Sequence, residues 1–331
     1  MRDTFVHFRS RHEFWLLIFI AALVLVLSFF SPSFLTLRNL SDMLTSNAYL
    51  AILCSGLVVV LIAGGIDVSF TAIASVAQYV ALSYVKAVGG NWPIVFLIAC
   101  AVGVVCGFLN AVLIYQFKIR SIIATIATLN IFYGLLITVS GGRWISVLPD
   151  WFERGINWFD FTDSDDYTYT LNLQILMLII SFGITWLLLR RSSIGRQIYA
   201  LGGNPEAAQR LGFKVFRLHL LVYGYMGLTA GLASIVQAQL AQTVMPSSLV
   251  GKELDVLAAV VLGGASLMGG VGTVLGTILG VALLAIMQNG LLLVGVSSYW
   301  LQFFSGLVIV VAMSITAIQT HRGKSHRRVA A

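Results

Sequence analysis

Long apolar runs, broken only by short polar or glycine-rich steps, recur along the whole chain. The first covers 14–30, and others follow near 46–63, 67–86, 93–117, 121–140, 171–189, 216–240, 254–268, 273–294 and 299–319. About 20 apolar residues at a rise of about 1.5 Å carry a helix across a bilayer, so each run predicts one transmembrane helix. The later boundaries rest on glycine. Between Asp255 and His321 no charged side chain occurs, and GGASLMGGVG and GVSSYW divide that stretch. Arg2, Arg9 and Arg11 ahead of the first run imitate the start of a signal peptide. No Ala-x-Ala cleavage site follows, which predicts a retained first span. Ten spans put both termini on one side.

Composition agrees with this pattern. With 59% hydrophobic residues, 10% charged residues and a mean hydropathy of +0.94, the chain lies far outside the range of a soluble domain. No soluble block interrupts the apolar runs, which predicts one integral domain. Cys54, Cys100 and Cys106 lie inside apolar runs without metal-ligand spacing and read as packing residues. Fifteen of the 20 Lys and Arg residues fall on one predicted side, namely Arg2, Arg9, Arg11, Lys118, Arg120, Arg190, Arg191, Arg196, Arg210, Lys214, Arg217, Arg322, Lys324, Arg327 and Arg328. The positive-inside rule makes that side cytoplasmic. The net charge of +7 is therefore a topology signal and not a nucleic-acid surface, since the basic residues are split among short loops.

The opposite side holds a long loop, 141–170, in which Asp150, Glu153, Asp160, Asp163, Asp165 and Asp166 face only Arg143 and Arg154 as basic residues. Trp144, Trp151 and Trp158 punctuate it. Tryptophan and arginine near a boundary serve as interfacial anchors, and they are also residue types that dominate docking hot spots. The second reading makes Arg143 and Arg154, with Lys252 and Glu253, a docking surface for another protein.

Residues 194–213, IGRQIYALGGNPEAAQRLGF, are unusually polar and fall on the basic side. Asn204 is suited to cap a helix, Pro205 to its first position and Glu206 to its positive end, and Gly212 ends it. Ala207 and Ala208 are small enough to let a partner surface come close. Such a helix either seats in a groove of another protein or simply connects two spans.

At membrane depth, Asp67 is the only charged residue between Asp42 and Lys86, placed just after Gly64 and Gly65. Its carboxylate either caps the following helix or meets the substrate. With Ser69, Asn110, Thr125, Thr128 and Asn130 it forms the predicted translocation pathway: singly these uncharged polar groups read as interhelical hydrogen bonds, and as a set they suit hydroxyl-rich ligands. A proton- or sodium-coupled transporter would be expected to carry several intramembrane ionisable groups, whereas Asp67 and His219 are all this chain offers. An intramembrane enzyme is disfavoured because no nucleophile and base, and no metal set, converge in the sequence.

GRQIYALGGNPEAAQRLGFKV, KELDVLAAVVLGGASLMGGVGTVLGTILG and QNGLLLVGV resemble the permease family of ATP-binding-cassette importers for ribose, xylose, arabinose and related sugars, which also includes autoinducer-2 importers. GGIDVS at 64–69, GFLNAVLIYQFKI at 107–119 and IATIATL at 123–129 match it in the same order. The resemblance implies an all-α polytopic membrane protein of about ten transmembrane helices, of the type II, vitamin B12 importer-like class. It implies a transport subunit that binds no cofactor, with ATP and magnesium held by a separate ABC ATPase subunit. GKS at 323–325 is no phosphate loop, having neither the upstream glycine nor a preceding strand. Further implied partners are a second permease copy or paralogue, an extracytoplasmic substrate-binding protein and a sugar-like substrate.

The implied location is the bacterial inner membrane. A cytoplasmic segment 1–13 would precede the permease domain 14–319, and a basic cytoplasmic tail 320–331 would follow it. Within the domain, 141–170 is extracytoplasmic and 195–213 is the coupling loop. Gly202, Gly203, Asn204, Glu206, Ala207, Ala208, Arg210 and Gly212 would form the ATPase contact. The chain departs from the family at Phe70 and Thr71, at Arg120 where proline is common, and at Tyr133 where arginine is common. GGRWISVLP at 141–149 is closer to the autoinducer-2 branch.

Overall fold

A computed structural model describes residues 12–162, 168–297, 299–304, 306–307 and 310. Among them, eight helices are long and apolar enough to cross a membrane. These are α1 (His12–Phe30), α2 (Leu37–Ile62), α3 (Phe70–Val88), α4 (Trp92–Gln116), α5 (Ser121–Ser140), α7 (Leu173–Trp186), α10 (Val215–Ala241) and α12 (Val274–Leu293). A π-turn, Leu187–Arg191, prolongs α7. Shorter elements are α6 (Asp150–Glu153), β1 (Asn157–Thr162), β2 (Thr168–Asn172), α8 (Ser193–Gly203), α9 (Pro205–Arg210) and α11 (Glu253–Leu262).

Two of the ten predicted spans stand apart. The run 254–268 contains only α11, a helix of 10 residues. The run 299–319 lies mostly outside the described residues, as do most of 1–13 and all of the tail 320–331. The run at 46–63 belongs to a longer helix that starts at Leu37, because the Thr36 hydroxyl caps it by accepting from Asn39 N at 3.3 Å.

Helix α2 is the centre of the bundle and is buried without interruption over 51–62. Lipid tails are as apolar as leucine, so close packing and polar contacts must hold the helices together. Helices α4 and α10 meet through small residues: a β-carbon on Gly103 would overlap the Gly227 carbonyl, one on Gly107 the Tyr223 carbonyl, and one on Gly231 the Ala99 carbonyl. Asn39 and Asn289 exchange amide hydrogen bonds of 2.9 Å and tie α2 to α12.

The loop 141–170 corrects the all-α expectation. It holds α6 and, with residues to 172, the antiparallel hairpin β1–β2. It also folds back onto the bundle. Ile145 and Val244 exchange backbone hydrogen bonds of 3.0 Å, and Phe152, fully buried, stacks on Trp92 at 5.0 Å. Trp151 meets Trp92 edge-on at 5.4 Å, so this tryptophan packs the loop onto the end of α4. Asp163, Asp165 and Asp166 lie outside the described residues.

Candidate functional site

Between α2 and α3 the chain unwinds over 63–69, with Gly64 at φ +85. Backbone groups released at membrane depth need partners within the protein, and α5 supplies them. The Ser121 hydroxyl accepts from Ile66 N at 3.0 Å, and the Thr125 hydroxyl accepts from Val68 N and donates to the Ile66 carbonyl, both at 3.3 Å. Asp67 is fully buried and closes a local turn, its Oδ1 accepting from Ser69 N at 2.8 Å and from the Ser69 hydroxyl at 2.7 Å. Asn110 Nδ2, from α4, donates to the same hydroxyl at 2.7 Å.

Four predicted pathway residues, Asp67, Ser69, Asn110 and Thr125, thus gather at one break. Thr128 is buried one turn further along and donates to the Thr125 carbonyl. Asn130 does not join them, because its amide bonds the Ile126 carbonyl at 2.8 Å on the exposed side of α5.

Three glycine-rich steps converge at the end of the bundle that carries α8 and α9. A β-carbon on Gly202 would overlap the Ile62 carbonyl oxygen and lie 2.7 Å from Gly270 N, while one on Gly269 would lie 2.7 Å from Gly64 Cα. Gly270 N donates to the Ile62 carbonyl at 2.9 Å, and the Tyr199 hydroxyl donates to the Gly272 carbonyl at 2.7 Å. The end of α8 therefore rests directly on both the α2–α3 break and the α11–α12 turn. Beside this junction is a cavity of about 360 Å³, lined by Gly64, Gly65, Ser121, His219 and Tyr223 among others.

The polar stretch is two helices instead of one loop. Asn204 ends α8 and caps α9, its Oδ1 accepting from Ala207 N at 3.0 Å. Gly203, Asn204, Glu206, Ala207, Arg210 and Gly212 are exposed. Gly202 and Ala208 are not. Gly202 is inside the junction, and Ala208, 1% exposed, turns inward where α9 packs on α8 and α10. A partner approaching this face would meet Ala207 and not Ala208.

Lys252 and Glu253 belong to a different element from Arg143 and Arg154. Arg143 and Arg154 are exposed on the loop, and Lys252 and Glu253, both partly exposed, stand at the head of α11. Glu253 accepts from the Thr71 hydroxyl of α3 and from Gly251 N. Asp255 shares a cavity wall with Asn47, Leu50 and Cys54, close to the middle of α2. The Cys54 thiol donates to the Val256 carbonyl at 3.7 Å. The chain reaches the head of α11 as the irregular segment 242–252.

A buried polar stripe on α3, Thr71, Ser75 and Gln78, faces that segment, with Gln78 Nε2 donating to the Ser248 hydroxyl at 2.9 Å. Sequence reasoning missed the stripe. Its signal was the spacing of four and three, which puts the three residues on one helix face.

The sequence profile of the family described as branched-chain amino acid transport system, permease component, matches residues 39–313. The ribose import permease protein RbsC of Bacillus subtilis (strain 168) is 34% identical over 292 residues, 88% of this chain and 88% of that protein. RbsC of Escherichia coli (strain K12) is 31% identical over 306 residues, 90% of this chain and 92% of that one. The autoinducer 2 import system permease protein LsrC of Photorhabdus luminescens is 30% identical over 307 residues, covering 92% and 89%.

Proposed function

The chain belongs to the branched-chain amino acid transport system permease-component family, and from that premise we propose that it is the membrane subunit of an ATP-driven, binding-protein-dependent importer for a sugar or sugar-like small molecule. It is a transport component and not an enzyme. Its near end-to-end match to ribose and autoinducer-2 permeases makes those two compounds the first cargoes to test. A separate ABC ATPase holds ATP and magnesium, an extracytoplasmic binding protein delivers the cargo, and a second permease copy or paralogue completes the pathway. The subunit has ten spans of the type II importer class in a bacterial inner membrane, with both termini and α8–α9 in the cytoplasm.

The observation that carries this reading is the seating of α8–α9. Its outer face presents Asn204, Glu206, Ala207 and Arg210, and its inner face touches two helix breaks through glycine. A push on the exposed face is delivered to both breaks. The ATPase should therefore copurify with the permease, and Ala207→Trp should abolish that association while the subunit still inserts in the membrane. A connector lying in the headgroup region would accept the indole without loss. Retained ATPase binding and uptake in Ala207→Trp would refute the coupling role.

Orientation can be tested separately. Ser146 and Ser193 are both exposed. In a background without the native cysteines, Ser146→Cys is expected to react with an impermeant thiol reagent in intact cells and Ser193→Cys only after the membrane is opened. Reaction of both from outside would contradict the assigned sidedness.

A further inference from the structure

Lys252 Nζ and Asp255 Oδ2 pair at 3.3 Å at the head of α11, yet their side chains are 42% and 22% exposed. Leu254, between them, is 68% exposed. Charged side chains at the centre of a bilayer do not face lipid but turn to protein or water. At this depth, beside the middle of α2, a half-bare ion pair therefore marks a face that lipid does not cover.

We infer that the head of α11 lines the aqueous pathway between two permease subunits, where Lys252 and Asp255 meet the passing cargo. This rests on the importer reading above. The pair suits a neutral, hydroxyl-rich molecule. An ammonium has three donors and a carboxylate about four acceptor sites, and their mutual bond uses one of each. Sugar hydroxyls both donate and accept, so they can take the rest. In a symmetric pair of copies, Lys252 of one can face Asp255 of the other, and with Glu253 each head keeps one net negative charge. Glu253 is the positioning residue. It accepts from Thr71 and Gly251 and fixes the α11 head to α3, with Lys252 and Leu254 exposed on either side of it.

The test is thiol accessibility in the assembled importer, with the native cysteines replaced. Leu254→Cys is compared with Leu25→Cys on α1, which is 71% exposed. A charged methanethiosulfonate reagent is expected to modify position 254 at least about a hundredfold faster, because the bilayer centre excludes ions to roughly that degree. Saturating cargo-loaded binding protein should slow the reaction. If Leu254→Cys reacts as slowly as Leu25→Cys in a complex that still hydrolyses ATP and takes up cargo, the pathway assignment is overturned and the importer reading stands. Fast reaction without any slowing by cargo overturns the cargo contact. A permease that recruits no ATPase overturns the importer reading itself.

Discussion

Gly202→Ala is expected to reduce uptake at least about tenfold while leaving the spans inserted, since overpacking by one methyl commonly costs about 1–3 kcal/mol and a two-state equilibrium moves by a comparable factor. The methyl would sit on the Ile62 carbonyl oxygen and 2.7 Å from Gly270 N. These are backbone atoms of two different breaks, and neither can swing aside as a side-chain tip would. The clash must lift α8 away from the junction or shift both breaks together. Gly203→Ala is the control. It stands next in the chain, and a β-carbon there meets nothing within 4 Å. ATP hydrolysis by the Gly202→Ala complex should persist with uptake lost, which is the signature of a broken linkage. Equal uptake by the two alanine variants, at matched membrane levels, would show that the contact carries no motion.

Asp67→Ala should impair uptake far more than Asp67→Asn. Alanine strips the acceptor from Ser69 N and from the Ser69 hydroxyl, and each buried donor left unpaired costs about 1–3 kcal/mol. The hydroxyl would also lose the orientation in which it accepts from Asn110. Asparagine keeps the acceptor oxygen. Among the described residues, Asp67 Oδ2 and Asn110 Oδ1 are both buried without a hydrogen-bond partner. An amide at position 67 removes one of these idle acceptors and brings a donor into a network that has another. Uptake and thermal stability of the purified variants decide the matter. Wild-type uptake and stability in Asp67→Ala would remove Asp67 from any structural role, and an asparagine variant as weak as alanine would mean that the charge itself is required.

Much of this architecture was legible because hydropathy and capping are local. Apolar length located eight crossings, and Asn204, Pro205 and Glu206 announced α9 from their order alone. Gly64 and Gly65 followed by Asp67 announced the break. What escaped was whatever depends on how elements meet. Ala207 and Ala208 are adjacent and identical in type, and only the packing of α9 decides which is covered. Lys252 and Glu253 look like loop residues in a hydropathy plot, because the chain reaches their depth as irregular backbone that no window of apolar length registers. The hairpin β1–β2 lies in a polar loop where strand signals compete with many acids. Asn130 has the same composition signal as Asn110, and its orientation on α5 separates them.

The 10-residue α11 also constrains how the protein is made. At about 1.5 Å per residue it covers roughly half of the ~30 Å hydrocarbon core. Its head carries Lys252, Glu253 and Asp255, each of a type that costs about 2.5–3.5 kcal/mol at the centre of a lone inserted helix. Such a segment has no reason to leave the translocation channel for lipid by itself. The Thr71 hydroxyl of α3 and the middle of α2 must already be in place to receive it. As a crossing it would depend on finished neighbours on either side, which would make its entry into the membrane a step of tertiary folding.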